Sequence, residues 1–510
     1  MPRRPFAVFA LLALSLVACG DRSPDVGARI VRPTTSTAPE SPSPTGGPAV
    51  VTDAAQPPTT TAASPPPGSG PKPSSATSVT AGAAVAPAPS RAALACPATP
   101  PRAGARPDRT RYELHVDVRT AENAVVGDLV ARFTPDRATD RLVFRLWPNG
   151  PRLARFGARL DTGAVTVDGR EVASERTAPT VLEVRTGAIA AGRTVEVAMP
   201  WRLTLPNIVN DRIYRKGDIL RLGSFFPILP WEPGLGWTIE PPTTAFAEAS
   251  MAPVADFVVH VKLPPGLTAI TSGTDAGGGR FVARSMRDFA MSVGRFRITG
   301  GTAQAPHTVK ITVGVAGASD DPGVYLRKAQ RVLADFSRRY GDYPWDSFTI
   351  AVTPELSGGI EYPSHVMHGP GTTGRVLSHE VGHMWFYGLV GNNQGRDPWL
   401  DEGLATWAED RFEGTTTATR NKSVPAGGRG RAGEPMTYWE SRQDIYYRSV
   451  YTQGAQALGA LGPADRVDCA LAHYVAHNAN RVARNRDIVE ALRPSFPDVE
   501  SVFARYGIRA

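Results

Sequence analysis

The chain changes its hydrophobic rhythm twice. Residues 20 to about 95 are Pro, Ser, Thr, Ala and Gly with almost no large apolar side chains. Such a stretch cannot bury enough surface to offset its ordering entropy, so a disordered tether is expected over 20–106. From about 107 short alternating runs begin. Positions 112–118 alternate with period two, and 126–133, 142–147, 165–167, 181–184, 195–203 and 257–263 follow between turn residues. Period two is the signature of half-buried strands, and Asp168-Gly169 is a hairpin-type turn between two of them. An antiparallel β-domain is therefore expected over 107–303, with Phe225-Phe226-Pro227 and the aromatic, Pro-rich 231–237 as a plug at a domain interface, a substrate-cleft wall being the alternative.

After about 305 the period lengthens. Asp321-Pro322 is a helix start; Val324, Leu326, Val332, Leu333, Phe336 and Tyr340 follow at helical spacing, and Gly341 ends the run. A strand is expected at 348–352, then helices near 376–386 and 402–412. The Thr/Gly/Arg-rich segment 414–436 reads as a mobile or cleft-bordering loop, and helices resume at about 444–461, 465–479, 485–493 and 498–506. The expected fold class is multidomain α and β, the β-domain preceding an α+β domain over 304–510.

The chemistry concentrates in His379-Glu380-Val381-Gly382-His383. On a helix the two histidines lie one turn apart on one face and can grip one zinc ion, while Glu380 can take a proton from water held there. Glu402, nineteen residues beyond His383 in Trp399-Leu400-Asp401-Glu402-Gly403, is the natural third ligand. Three protein ligands leave a position for water, the mark of a catalytic site. Val376, Leu377, Val381, Met384, Trp385 and Phe386 give this helix an apolar side, so it is expected to be buried, where histidines and an acid need partners. His473 and His477 are also four apart but have no acid at the catalytic position and are expected on a helix surface; His115 and His260 are expected as packed or surface strand residues, and His365 or His368 could line the cleft.

Charge and cysteines narrow the setting. The net charge of +8 among 510 residues is spread along the chain without a basic block, so nucleic acid is not an expected partner. Arg3 and Arg4 precede an apolar run at 6–17, too short to span a bilayer, and Leu16-Val17-Ala18-Cys19 resembles a bacterial lipoprotein signal. That resemblance implies a signal over 1–19, lipid on Cys19, and an extracytoplasmic protein anchored to the cell membrane. Cys96 and Cys469 remain, an even pair that in an exported chain points to a disulfide, with two free thiols as the alternative.

Four motifs in order, Gly358-Gly359-Ile360-Glu361-Tyr362, 379–383, 399–405 and Val450-Tyr451-Thr452-Gln453-Gly454-Ala455, make the chain resemble the gluzincin aminopeptidases of the aminopeptidase N family. The match is strongest over about 345–460. The resemblance implies a thermolysin-like catalytic domain with one Zn2+ per chain on His379, His383 and Glu402. It implies Glu380 as general base and Tyr451 as hydrogen-bond donor to the oxyanion. Glu361 would pair with the free α-amino group of a peptide, and Gly358 and Gly359 would let the substrate backbone approach an edge strand. Tyr362, Asp401 and Thr452-Gln453 depart from the family pattern, which usually has Asn, Asn and Glu-Lys there. The large C-terminal helical domain of many relatives is not expected. The function implied is N-terminal trimming of peptides; a zinc endopeptidase and a non-catalytic surface-binding lipoprotein are the alternatives.

Overall fold

The computed structural model describes residues 96–207, 210–245 and 251–510. The signal at 1–19, Cys19 and the tether as far as residue 95 lie outside these. The alternating runs pair as their period requires. Arg111–Arg119 (β1) buries Tyr112, Leu114, Val116 and Val118 and pairs antiparallel with Ala124–Phe133 (β2). Val195–Thr204 (β3) joins the far edge of β2. The other edge of β1 takes Ala255–Lys262 (β4), and Arg280–Met286 (β5) pairs with β4. These five form the middle of a nine-stranded sheet.

The β1–β4 ladder is parallel, setting Tyr112 beside Phe257 and His115 beside His260. The expected antiparallel domain is corrected in this one pair. Alternation has the same period in both ladder types, so it carries no information on strand direction. Phe225 and Phe226 pack edge-on against Trp201, Tyr112 and Phe257 inside the β-domain core, so they are not an interface plug. The neighbouring Glu232 does reach across. Only 1% exposed, it accepts from Arg396 over 3.2 Å and from Arg484 Nε over 2.8 Å.

The second region is built on a five-stranded sheet of Arg297–Gln304 (β6), Thr308–Val315 (β7), Ser347–Val352 (β8), Gly359–Tyr362 (β9) and His365–His368 (β10), ordered β6-β7-β8-β10-β9. It begins at Arg297, ahead of the expected boundary at 304, because a β6–β7 hairpin alternates like the strands before it. The helix Pro322–Tyr340 (α1) crosses from β7 to the parallel β8. Asp321 caps it by accepting from Gly323 N over 2.9 Å, and Gly341 stops it at a φ of 92°. All six residues of β8 are buried, as a central parallel strand requires.

Against this sheet lies Arg375–Gly382 (α2), and Trp399–Glu413 (α3) packs on α2. A π-helical turn at Arg448–Thr452 leads into Gln453–Gly459 (α4), and Ala464–Asn478 (α5) follows. Two sequence expectations are corrected here. Residues 96–106 are held against α5, by a Cys96–Cys469 disulfide with Cα atoms 5.6 Å apart and by Ala103 N donating to Ala476 O over 2.8 Å. Segment 414–436 is likewise tied down. Gln456 Nε2 donates to Thr419 O and Lys422 O, and Gln453 donates to Gly428 O while accepting from Gly430 N. Gln453, one of the departures from the family pattern, thus pins that loop. Among the described residues no helix is long and apolar enough to cross a membrane.

Candidate active site

One turn of α2 separates His379 from His383, and the first turn of α3 carries Glu402 to the same point. His379 Nε2 lies 3.1 Å from His383 Nε2 and 3.0 Å from Glu402 Oε2, and His383 Nε2 lies 3.4 Å from the same oxygen. A tetrahedral zinc with bonds of about 2.0–2.2 Å spaces its ligand atoms about 3.3–3.6 Å apart. The far ring nitrogens are engaged elsewhere: His383 Nδ1 faces Phe386 O at 3.1 Å and His379 Nδ1 faces Glu409 Oε2 at 3.3 Å. With those nitrogens donating, two imidazole lone pairs and a carboxylate converge on one spot. That is a repulsive arrangement until a cation fills it, so the residues fit the ion.

The surrounding charge agrees. Burial opposes protonation of His383, yet Glu361 and Glu402 push its pKa up to about 10. Burial likewise disfavours the charged form of His379, but Glu402 and Glu409 push it up as well. The same histidines, working against burial, hold Glu402 well below the usual carboxylate range. A buried pocket that draws protons onto histidines also draws a divalent cation in their place. Glu380 shares the pocket; burial first, then Glu361 and Glu402, raise it to about 8, while the two histidines pull it back.

β9 brings up the other side. Glu361, Glu380 and His383 each place a ligand atom within 4.8 Å of the others. Gly359 makes room for this, since a Cβ there would fall 2.4 Å from the Glu380 carboxyl carbon. Gly358 O accepts from Gly369 N over 2.9 Å, and β9 is the edge strand of its sheet. Tyr362 is on the opposite strand face from Glu361. Its ring enters a small apolar cluster with Ile360 and Met367, and its hydroxyl lies 3.5 Å from Ser224 Oγ, over Gly223. This departure from the family pattern therefore points away from the pocket. Asp401, another departure, accepts from Glu402 N over 3.0 Å and from Gln394 Nε2 over 2.9 Å. Burial, with Glu402 and Glu361 adding to it, raises the Asp401 carboxyl to about 8.

The π-turn aims Tyr451 at the same centre. Its hydroxyl donates to Glu402 Oε1 over 2.5 Å and its ring stacks on His379 at 5.5 Å. Tyr446 and Tyr447 pack against Tyr451 at 5.7 and 4.9 Å. His365 and His368 are engaged elsewhere: His365 lies between Thr349 Oγ1 at 2.7 Å and Ser292 Oγ at 3.2 Å, and His368 Nδ1 faces Thr372 Oγ1 at 2.7 Å.

Glu409 and Gln394 escaped the sequence reading. Glu409 lies two helical turns after Glu402 on the same face of α3, a spacing that could have revealed it. It holds the His379 ring and is itself paired with Arg375. Gln394, which also reaches Glu361 at 3.4 Å, sits in a loop and gives no local signal.

Two histidines and a carboxylate around one point, with an acid between the histidines, define a metal-dependent hydrolytic centre. Residues 365–506 match the family model described as Peptidase family M1 domain. The stretch that carries the site is thus a peptidase domain. The chain is 28% identical over 103 residues to leukotriene A-4 hydrolase of Xenopus laevis, 18% of this chain and 17% of that protein. It is 32% identical over 89 residues to leucine aminopeptidase 2 of Candida albicans, 16% and 14% of the two chains. These matches span about a sixth of the relatives' length. The fold extends the likeness: a solved M1 zinc metallopeptidase mutant from Deinococcus radiodurans, bound to a Tyr-ser-ala substrate, superposes with a TM-score of 0.59 at 20% identity, covering 79% of this chain and 95% of that one. The β-domain and α+β domain together are therefore the fold of that zinc peptidase.

Proposed function

We propose that this chain is a zinc aminopeptidase acting outside the cytoplasmic membrane. The observation that carries the reading is the buried carboxylate of Glu361 beside the His379–His383–Glu402 centre, on the edge strand where a peptide can lie. A buried acid in a cleft is poised for a cation, and a free peptide N-terminus is one. His379, His383 and Glu402 would hold zinc, whose chemistry when bound is Lewis acidity toward water and a peptide carbonyl. Glu380 would take the proton of the attacking water and return it to the leaving amine. Tyr451 would turn its hydroxyl from Glu402 to the developing oxyanion, adding stabilisation without adding charge. Glu361 would hold the substrate ammonium, which fixes the scissile bond one residue from the N-terminus.

The sequence supports location by the same logic. The signal-like 1–19 would direct export, lipid on Cys19 would anchor the chain, and the Cys96–Cys469 bridge suits an oxidising compartment. Lipid labelling of the wild type and its loss in Cys19→Ala would check the anchor. The activity is tested with matched peptides carrying free or acetylated N-termini. Free peptides lose their first residue, chelator stops the reaction, and acetylated peptides stay intact. Cleavage of the acetylated peptides would replace this reading with an endopeptidase.

A further inference from the structure

Far from the cleft in the chain, metal-ligating side chains meet again on the outer face of the β-domain. His115 on β1 and His260 on β4 are direct partners in the parallel ladder, their rings stacked at 4.8 Å with planes 9° apart. Glu113, two residues earlier on β1 and so on the same face, places its carboxylate 3.6 Å from His115 Nε2. One donor atom from each of the three lies within 4.8 Å of the others. A tetrahedral ion needs about 3.4 Å between donors, so the group has to close by about 1.4 Å at most. Rotation of exposed side chains supplies that: His115 is 58% and Glu113 56% exposed at the side chain.

Acids and bases both border the two histidines. The histidines line a surface hollow together with Asp117 and Asp128, the latter directly across from His115 on β2. Two basic residues of the hollow, Arg119 and Lys262, are both taken up by Asp117, at 3.1 and 3.4 Å. Arg280 stands across from His260 on β5. Two imidazoles and a carboxylate are a donor set for borderline divalent ions, not for Ca2+ or Mg2+.

We propose that Glu113, His115 and His260 form a second, non-catalytic metal site that binds Zn2+ or a similar transition cation, with water completing its shell. Ion binding there would clip β1 to β4, strands far apart in sequence, and stabilise the folded β-domain by mass action.

Zinc titration of the full-length protein, with bound metal counted by elemental analysis after equilibrium dialysis, tests this. Two zinc ions per chain are expected for the wild type and one for His115→Ala and His260→Ala, with peptide hydrolysis unchanged. Glu113→Gln is expected to weaken the second equivalent selectively. A thermal upshift on adding the second equivalent should vanish in His115→Ala. One zinc per chain in the wild type would overturn the proposal. So would a second zinc that survives His115→Ala, or one that is lost in His473→Ala on α5.

Discussion

Gly403 and Gly454 touch where α3 crosses α4: a Cβ on Gly454 would fall 2.7 Å from Gly403 Cα, and one on Gly403 3.0 Å from Gly454 Cα. The residue before Gly403 is the ligand Glu402, and three before Gly454 is Tyr451, whose hydroxyl contacts it. The helix crossing therefore sets the distance between ligand and phenol. Gly454→Ala is expected to force the helices apart, costing about 1–3 kcal/mol of stability. It should lower kcat more than it raises KM. Steady-state kinetics with a denaturation curve checks both; a wild-type kcat would show that this spacing does not matter to turnover.

Glu380→Gln removes the proton acceptor and keeps the shape. Hydrolysis is expected to fall about 10²–10⁴-fold while one zinc per chain stays bound at the histidines. Metal analysis alongside single-turnover rates separates a lost base from a lost metal.

Glu409 orients His379 through Nδ1 over 3.3 Å. Breaking such a carboxylate–histidine contact lowers metal affinity by about 10–100-fold. Glu409→Gln should show that drop in a competition with a chelator, with kcat recovering at saturating zinc. Unchanged zinc affinity would mean that the ring is held by packing alone.

Burial lowers His365 and His368 from an ordinary 6.5 to about 3. Between those values the unfolded chain binds their protons and the folded one does not. The stability they allow is complete above pH 6.5 and is lost as pH falls toward 3. Each contributes a slope of about 1.4 kcal/mol per pH unit. Denaturant midpoints measured across that range should fall less steeply for His365→Gln than for the wild type, by one proton's worth. Parallel curves would rule His365 out as a cause of acid lability.

The residues read most easily from sequence are those related by helix spacing. His379, Glu380 and His383 announce themselves within one turn, and the structure brings Glu402, Glu361 and Tyr451 to them. Glu409 obeys the same periodicity but has no motif of its own. Gln394 is positioned by a loop and had no signal. Tyr362 could be flagged as unusual, yet which strand face it occupies depends on pairing partners outside its own stretch. Strand direction was illegible for a similar reason: β1 and β4 alternate alike whether parallel or antiparallel, and only the long connection between them, residues 120–254, excludes a hairpin.

That connection also sets an order of events during synthesis. β1 can hydrogen-bond with β2 as soon as residue 133 has been made, but its other edge waits for residues 255–262. Until then one of the two edges of the central strand is bare, open to any other extended chain nearby. The β-domain is thus most prone to mispair before residues 255–262 arrive, and a chain stopped short of residue 255 would keep that edge open for good.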